Sequence, residues 1–322
     1  MIDKPDIDAT PLDDAARAGW LYYVGGMTQD QIARELGVSR QRAQRLVSRA
    51  MAERLIHVRL EHRVSGCLDL EAAMTRRFGL RLCRVAPSLG VGIDPLPSIA
   101  PTAAAEMERI LRSPEPLVIA LGTGRTLRAM VEELTSMECE QHRIVSLNGN
   151  ISPDGSASYY DVIMRIADRV RAPHYPMPMP VIAQTPEERD LFHALKPIQS
   201  VLHLARQADV TFVGVGQMGD DAPLLKDGFI TAAELAEMQA LGVAGEVAGW
   251  AYDSRGQYLE TSINSRVAGV RVTTDPGRTT IAIAGGPTKL TALIAGLKGR
   301  IFNGLITDEL TAKSLLSASM HT

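Results

Sequence analysis

Aromatic residues make up only 4% of the 322-residue chain, so the interior is expected to be aliphatic, and the 45% hydrophobic fraction supplies enough Ala, Val, Ile and Leu for a large core. There are three cysteines, Cys67, Cys83 and Cys139. Their odd number argues against a disulfide framework, and their separation gives no CxxC or Cys/His metal spacing. No run of about 18 apolar residues could span a bilayer, and no apolar N-terminal stretch resembles a signal peptide. These absences point to a cytoplasmic protein with no membrane partner, no metal and no cofactor. One-signed charge is missing too: the net charge of −3 excludes a chain that binds polyanions over its whole surface. The length exceeds one average domain and predicts two or more units.

Charge is unevenly spread. Residues 1–14 are acidic and aperiodic and read as a loose arm. "AARAGWLYYVGG" reads as a helix closed by Gly25 and Gly26. In the next stretch Thr28 is an N-cap, and Gln31 completes a capping box. Ile32, Ala33 and Leu36 mark an apolar face, Gly37 makes a turn, and Ser39 caps a second helix lined by Ala43, Leu46 and Val47. Two short helices joined through a glycine turn form a helix-turn-helix. The alternation of Ile56, Val58 and Leu60 suggests a wing after it. From Thr28 to Arg63 eight arginines stand against four acids. Neutralising phosphates needs such an excess, and reading base edges needs long donors near a helix N-terminus. Thr28, Gln29, Ser39, Arg40, Gln41, Arg42, Gln44 and Arg45 are the candidate DNA-binding residues. Solvated arginines on a surface helix pair are the plainer reading; the coincidence of cap, turn, core and donors favours DNA.

In "SGCLDLEAAMTRRFG" Leu68, Leu70, Ala73, Met74 and Phe78 line one side of a predicted helix stopped by Gly79. It either pairs subunits or packs on its own domain. "RLCRVAPS" reads as a short strand and "SLGVGIDPLPS" as a loop. Beyond this, apolar runs at 117–121, 143–147, 210–216, 266–272, 279–285 and 303–308 alternate with helical patterns near 100–112, 125–137, 186–207, 231–241 and 287–299. Such alternation predicts an α/β fold with a mainly parallel sheet covered on both faces. The expected division is a helix-turn-helix domain over 1–64 and an α/β domain over 65–322.

If the strands are parallel, the loops after them gather at one sheet edge, where open α/β sheets bind ligands. Gly122, Thr123, Gly124, Arg125 and Thr126 follow the first run and have the makings of an anion cradle, two glycines and two hydroxyls before a helix N-terminus. The motif is neither a Walker loop nor GxGxxG. An ordinary strand-to-helix turn is the plainer reading, and Lys289, after a Gly-Gly-Pro turn, strengthens the functional one. Asn148 and Gly149 follow the second run, Gly214 and Gly216 the third. Glu246 could accept a hydroxyl or cap a helix. Asp220 and Asp221 could be catalytic, though a solvated loop pair is the simpler reading. The histidines have no ligand-like spacing. "APHYPMPMPVI" reads as an extended segment beside the sheet.

The segments "MTQDQIARELGVSRQRAQRLVSRA", "LGTGRTLRAMVEEL", "ADVTFVGVG", "GVAGEVAGWAYDSRGQ", "INSRVAGV" and "AGGPTKLTALIAGLKGRIFNGLITDELTAKSLL", in this order, resemble the SorC family of bacterial sugar-responsive transcription regulators. The resemblance implies a winged helix-turn-helix domain and a Rossmann-like, doubly wound effector domain similar to sugar-phosphate isomerases and aminosugar-phosphate deaminases. It implies tetramers, built as pairs of dimers, on double-stranded operator DNA, and sugars, polyols or their phosphates as effectors. In relatives with phosphorylated effectors the loop matching Thr123 to Thr126 holds the phosphate, with help from the residue matching Lys289. Asn148 stands where certain phosphate-binding relatives carry Arg or Lys. It can neither neutralise a second phosphate nor form a Schiff base, so a neutral or monophosphorylated sugar or polyol is expected. Glu246 matches an acidic position near effector hydroxyls. The competing reading is an isomerase or deaminase with an appended DNA-binding domain, its base drawn from Asp220, Asp221, Glu246 or Asp308.

Overall fold

A computed structural model describes residues 11–53, 55–56, 64–156, 162–273, 275 and 277–318, and the chain separates into two compact units, Met1–His62 and Arg63–Thr322. The first holds helices α1 (Pro11–Tyr23), α2 (Gln29–Glu35) and α3 (Arg40–Ala52). Helix α1 begins earlier than expected: Pro11 starts it, and Asp13 and Asp14 in its first turn suit the positive end of the helix dipole. Thr28 and Gln31 form the anticipated capping box, and Ser39 accepts from the Arg42 amide. Gly37 takes φ 65°, the left-handed conformation the turn requires. Ala15, Ala18, Ile32, Ala33, Ala43, Leu46, Val47 and Ala50 form the core of this unit. The expected wing lies mostly outside the described residues.

The second unit runs α4 (Ser65–Phe78), β1 (Leu82–Ala86), α5 (Leu96–Leu111), β2 (Val118–Leu121), α6 (Arg125–Glu132), β3 (Arg143–Ser146), α7 (Ile163–Val170) and β4 (His174–Tyr175). It continues through α8 (Pro186–Ala194), α9 (Lys196–Arg206), β5 (Val210–Gly214), α10 (Pro223–Lys226), α11 (Ala232–Ala240), β6 (Val243–Val247) and β7 (Trp250–Asp253). It ends with β8 (Thr279–Ile283), a 3-10 turn (Pro287–Lys289), α12 (Leu290–Lys298), β9 (Gly304–Asp308) and α13 (Glu309–Ala318). Seven strands form one sheet in the order β1-β9-β8-β5-β2-β3-β4, every neighbouring pair parallel.

Strand periodicity sorts side chains onto two faces. Ile119, Leu121, Ile144, Phe212, Ile281, Ile283 and Ile306 meet α5, α6 and α7 on one face. Ala120, Val145, Val213, Ala282 and Leu305 meet α4, α9, α12 and α13 on the other. Helix α4, stopped by Gly79, therefore buries Cys67 and Met74 against its own sheet. After β2 the chain moves outward to β3 and β4; β5 returns beside β2, and β8 and β9 continue the other way. The β2/β5 junction is thus a topological switch point, where such sheets open a crevice.

Two expectations change. The run 266–272 is not a strand: Val267 makes a single antiparallel bridge to Ile182, and the Val270 amide donates to Leu147 O at 2.8 Å. Its apolar alternation records burial of Val267, Val270 and Val272, not a ladder. Conversely, the small-residue stretch around Glu246 is a β6–β7 hairpin. Ala248 (φ 53°) and Gly249 (φ 85°) give the two-residue turn its positive angles.

Candidate functional site

A cavity of about 1050 Å³ opens at the carboxyl ends of the strands, lined by loops that follow β1, β2, β3, β5, β8 and β9. Thr123, Gly124, Arg125, Thr126, Asn148, Gly214, Gly216, Glu246 and Lys289 line it. Gly122 and Gly149 do not, against expectation. The Gly122 amide extends the sheet by donating to Phe212 O at 2.9 Å. Gly149 packs so tightly on the proline-dense segment that a Cβ there would run into the Pro180 and Met179 carbonyl oxygens. Its role is close backbone packing.

The loop after β2 leads directly from the strand into α6. Gly124, at φ 122°, serves as N-cap of α6 without any side-chain cap. The first amides of α6 therefore lack an intrahelical acceptor. Arg125 turns to Asp227, with Nη2 to Oδ1 at 2.5 Å. Burial raises the Asp227 pKa, while the Arg125 guanidinium opposes the rise.

Glu246 sits opposite, on β6. Its backbone pairs both ways with Gly216, at 2.9 and 3.0 Å, and Oε2 accepts from the Gly249 amide at 2.7 Å. Its side chain fills the space a Cβ on Gly216 would occupy. Burial pushes the carboxyl up; the Gly249 amide and Lys289 pull it down, and Asp227 adds to the rise. Lys289 is half-buried where the 3-10 turn meets α12. Burial lowers its pKa, Glu246 raises it, Arg125 lowers it and Asp221 raises it. Asn148 is 2% exposed, and its side-chain oxygen has no hydrogen-bond partner among the described residues.

Sequence reasoning missed two components. The loop after β1, Ser88 to Leu96, lines the cavity. Placing "RLCRVAPS" in the parallel sheet would have brought that loop to the same edge. Asp227 is 102 residues from Arg125, and no local pattern links them. Of the four candidate bases, Glu246 accepts from the Gly249 amide and the three aspartates are engaged elsewhere. Asp308 caps α13, accepting from the Leu310 and Thr311 amides through Oδ1 and from Thr311 Oγ1 through Oδ2. Asp221 is exposed and bonded to Gln217 and Lys226; Asp220 accepts from Gln239. His142 is a packing residue, its ring bridging Leu117 N and Leu111 O. Among the described residues no group of His, Cys, Asp and Glu could hold a metal ion, and no helix is long and apolar enough to cross a membrane.

In the N-terminal unit, Thr28, Ser39, Arg40, Gln41, Arg42, Gln44 and Arg45 are exposed, and Gln29 is half-exposed. Arg40 pairs with Asp30 and Arg42 with Asp14, each at 3.4 Å. Such exposed pairs are worth about 0–1 kcal/mol, so a phosphate can displace either acid.

A sugar-binding domain family matches residues 62–317, and a MarR family model matches residues 18–63. The chain is 35% identical over 302 residues to the erythritol catabolism regulatory protein EryD of Brucella abortus (strain 2308), covering 94% of this chain and 96% of that protein. It is 30% identical over 308 residues to the transcriptional regulator LsrR of Enterobacter sp. (strain 638), covering 94% and 92%. The full-length sorbitol operon regulator SorC from Klebsiella pneumoniae superposes with a TM-score of 0.69 at 26% identity, over 95% of this chain and 99% of that one. A sugar-binding domain behind a helix-turn-helix, matched along nearly the whole chain by regulators, makes this protein a member of the SorC family of sugar-binding transcriptional regulators.

Proposed function

We propose that the protein regulates a carbohydrate or polyol catabolic operon, and that a sugar, polyol or monophosphorylated sugar in the switch-point cavity sets its affinity for operator DNA. The observation that carries the reading is the pairing, in one chain, of an arginine-faced helix-turn-helix with a cavity lined by hydrogen-bonding groups. The name of EryD, a regulator of erythritol catabolism, supports a short polyol among the candidates. Thr123, Gly124, Arg125, Thr126, Asn148, Gly214, Gly216, Glu246 and Lys289 contact the effector. The exposed donors of α3, with Thr28 and Gln29, contact DNA. The chain acts in the cytoplasm as a self-associated dimer or tetramer. A ligand shifts DNA binding only by favouring one conformation over the other.

The protein is not an enzyme in this reading. Proton abstraction needs a positioned base tuned toward neutrality; Asp308 caps a helix, Asp220 and Asp221 are hydrogen-bonded loop residues, and Glu246, though raised by burial, is in this reading the acceptor for an effector hydroxyl. Fluorescence anisotropy on operator DNA, with tetritols, pentitols, hexitols, hexoses and their phosphates added in turn, tests the regulator. A change in operator affinity with one of them is expected; unchanged affinity and unchanged thermal stability with all of them defeat it. Ribose 5-phosphate and glucosamine 6-phosphate should show no turnover.

A further inference from the structure

Strands β6 and β7 form a two-stranded sheet of their own, apart from the seven-stranded one, yet their turn, Ala248 and Gly249, lines the cavity beside Glu246. Two backbone bonds between Glu246 and Gly216 fix β6, and Tyr252 Oη on β7 donates to Ala292 O at 3.1 Å. Trp250, the first residue of β7, follows the turn directly. Its indole Nε1 is buried without a hydrogen-bond partner among the described residues, so no hydrogen bond orients that ring.

Arg271 supplies the missing restraint. Its guanidinium carbon lies 5.6 Å from the Trp250 ring centre and 5.5 Å from that of Tyr258, and the two rings meet edge to face at 6.4 Å. Both distances are within the reach of a cation–π attraction. The backbone on either side of Arg271 is anchored. The Val270 amide donates to Leu147 O, just beyond β3, and Tyr258 Oη donates to Val272 O, both at 2.8 Å. The arginine therefore reaches the hairpin from a segment tied to the main sheet, one residue from the cavity-lining Asn148. Burial raises the Tyr258 phenol; Arg271 opposes that rise and Glu246 adds to it, so both charges act on the one ring.

We infer that Arg271 is a positioning residue of the cavity: by clamping Trp250 and Tyr258 it holds the β6–β7 turn, and with it the Gly249 amide on Glu246, at the cavity wall. Its effect on an effector rests on the cavity being the sensor site. Arg271 is exposed, so replacing it opens no void in the core. The test uses the full chain and hydrogen–deuterium exchange followed by mass spectrometry. Arg271→Ala should speed exchange over residues 243–253 by about fivefold and leave the rest of its unit unchanged. Arg271→Lys, which keeps the cation, should restore most of the protection. Added to Trp250→Leu, Arg271→Ala should accelerate exchange less than it does alone, because the two act through one contact. Isothermal titration with erythritol, ribitol, sorbitol and their terminal phosphates reads the second half. The compound that binds the wild type should bind Arg271→Ala roughly two- to fivefold more weakly, since the competent fraction falls. Unchanged exchange over 243–253, or faster exchange across the whole unit, overturns the clamp. Faster local exchange with unchanged affinity overturns the positioning role while the sensor reading stands. If no compound binds the wild type, the sensor reading falls, and the exchange result alone decides the clamp.

Discussion

Gly216→Ala should uncouple the effector from the protein while leaving the fold in place. A methyl at this position would run into Glu246 Oε1 and lie 2.7 Å from its Cδ and 2.8 Å from its Cγ. The Glu246 backbone cannot retreat, because it pairs with Gly216 in both directions. The side chain must rotate away and give up the Gly249 amide. A hydrogen bond to a charged group contributes about 1.5–3 kcal/mol, and the freed carboxylate regains part of that as solvation in the cavity. The net destabilisation is about 1–2 kcal/mol, or a fall in Tm of roughly 2–8 °C for a unit of this size. The effect on ligand is larger, because the carboxylate leaves the position opposite Lys289. Differential scanning fluorimetry with and without effector reads both quantities: a modest drop in Tm and a lost ligand-induced rise. A variant that keeps the wild-type rise would refute the placement of Glu246 against the ligand.

Other perturbations test other parts of the argument. Asn264→Leu removes the buried amide that accepts from Ala251 N and donates to Ala251 O and Leu259 O; Ala251 O keeps the Leu259 amide, but Ala251 N and Leu259 O are orphaned, and chemical denaturation should show a loss of about 2 kcal/mol or more. Glu246→Gln removes a carboxyl whose folded pKa lies above its unfolded one. Such a group binds more protons folded than unfolded, so the wild type loses stability as pH rises from the ordinary glutamate pKa through the raised one. The variant's Tm should be flatter across that window and higher at neutral pH. Arg45→Ala, at an exposed position on α3, should weaken operator binding by about 1–3 kcal/mol if it reads a base, or lower the salt slope by about one unit if it contacts a phosphate. Unchanged affinity and slope would move the DNA surface off α3. Ser39→Ala should cost about 1 kcal/mol through the cap it gives Arg42 N, seen as faster amide exchange in α3.

Local rules decided what the sequence made legible. Caps and turns act over three or four residues, so Thr28, Gln31, Gly37, Ser39 and Gly79 marked helix ends where the structure has them. Short apolar runs set between helical patterns marked the parallel sheet, because strands buried on both faces read as continuous apolar runs. The same rule misread 266–272, since periodicity reports burial and cannot tell a ladder from an irregular buried segment. The β6–β7 hairpin escaped notice because its turn is Ala-Gly, outside the usual Asn-Gly signal, and its strands are rich in small residues held by the distant Asn264.

The amino-acid sequence by itself determined that a helix-turn-helix precedes a parallel α/β unit, and which loops end its strands. Tertiary structure decided what those loops do together. It joined Arg125 to Asp227, set Glu246 against Gly216, brought the loop after β1 to the cavity wall, and turned Gly122 and Gly149 from candidate ligands into packing glycines. Each of these pairings is set by distances between residues far apart in the chain, and no window of sequence holds them.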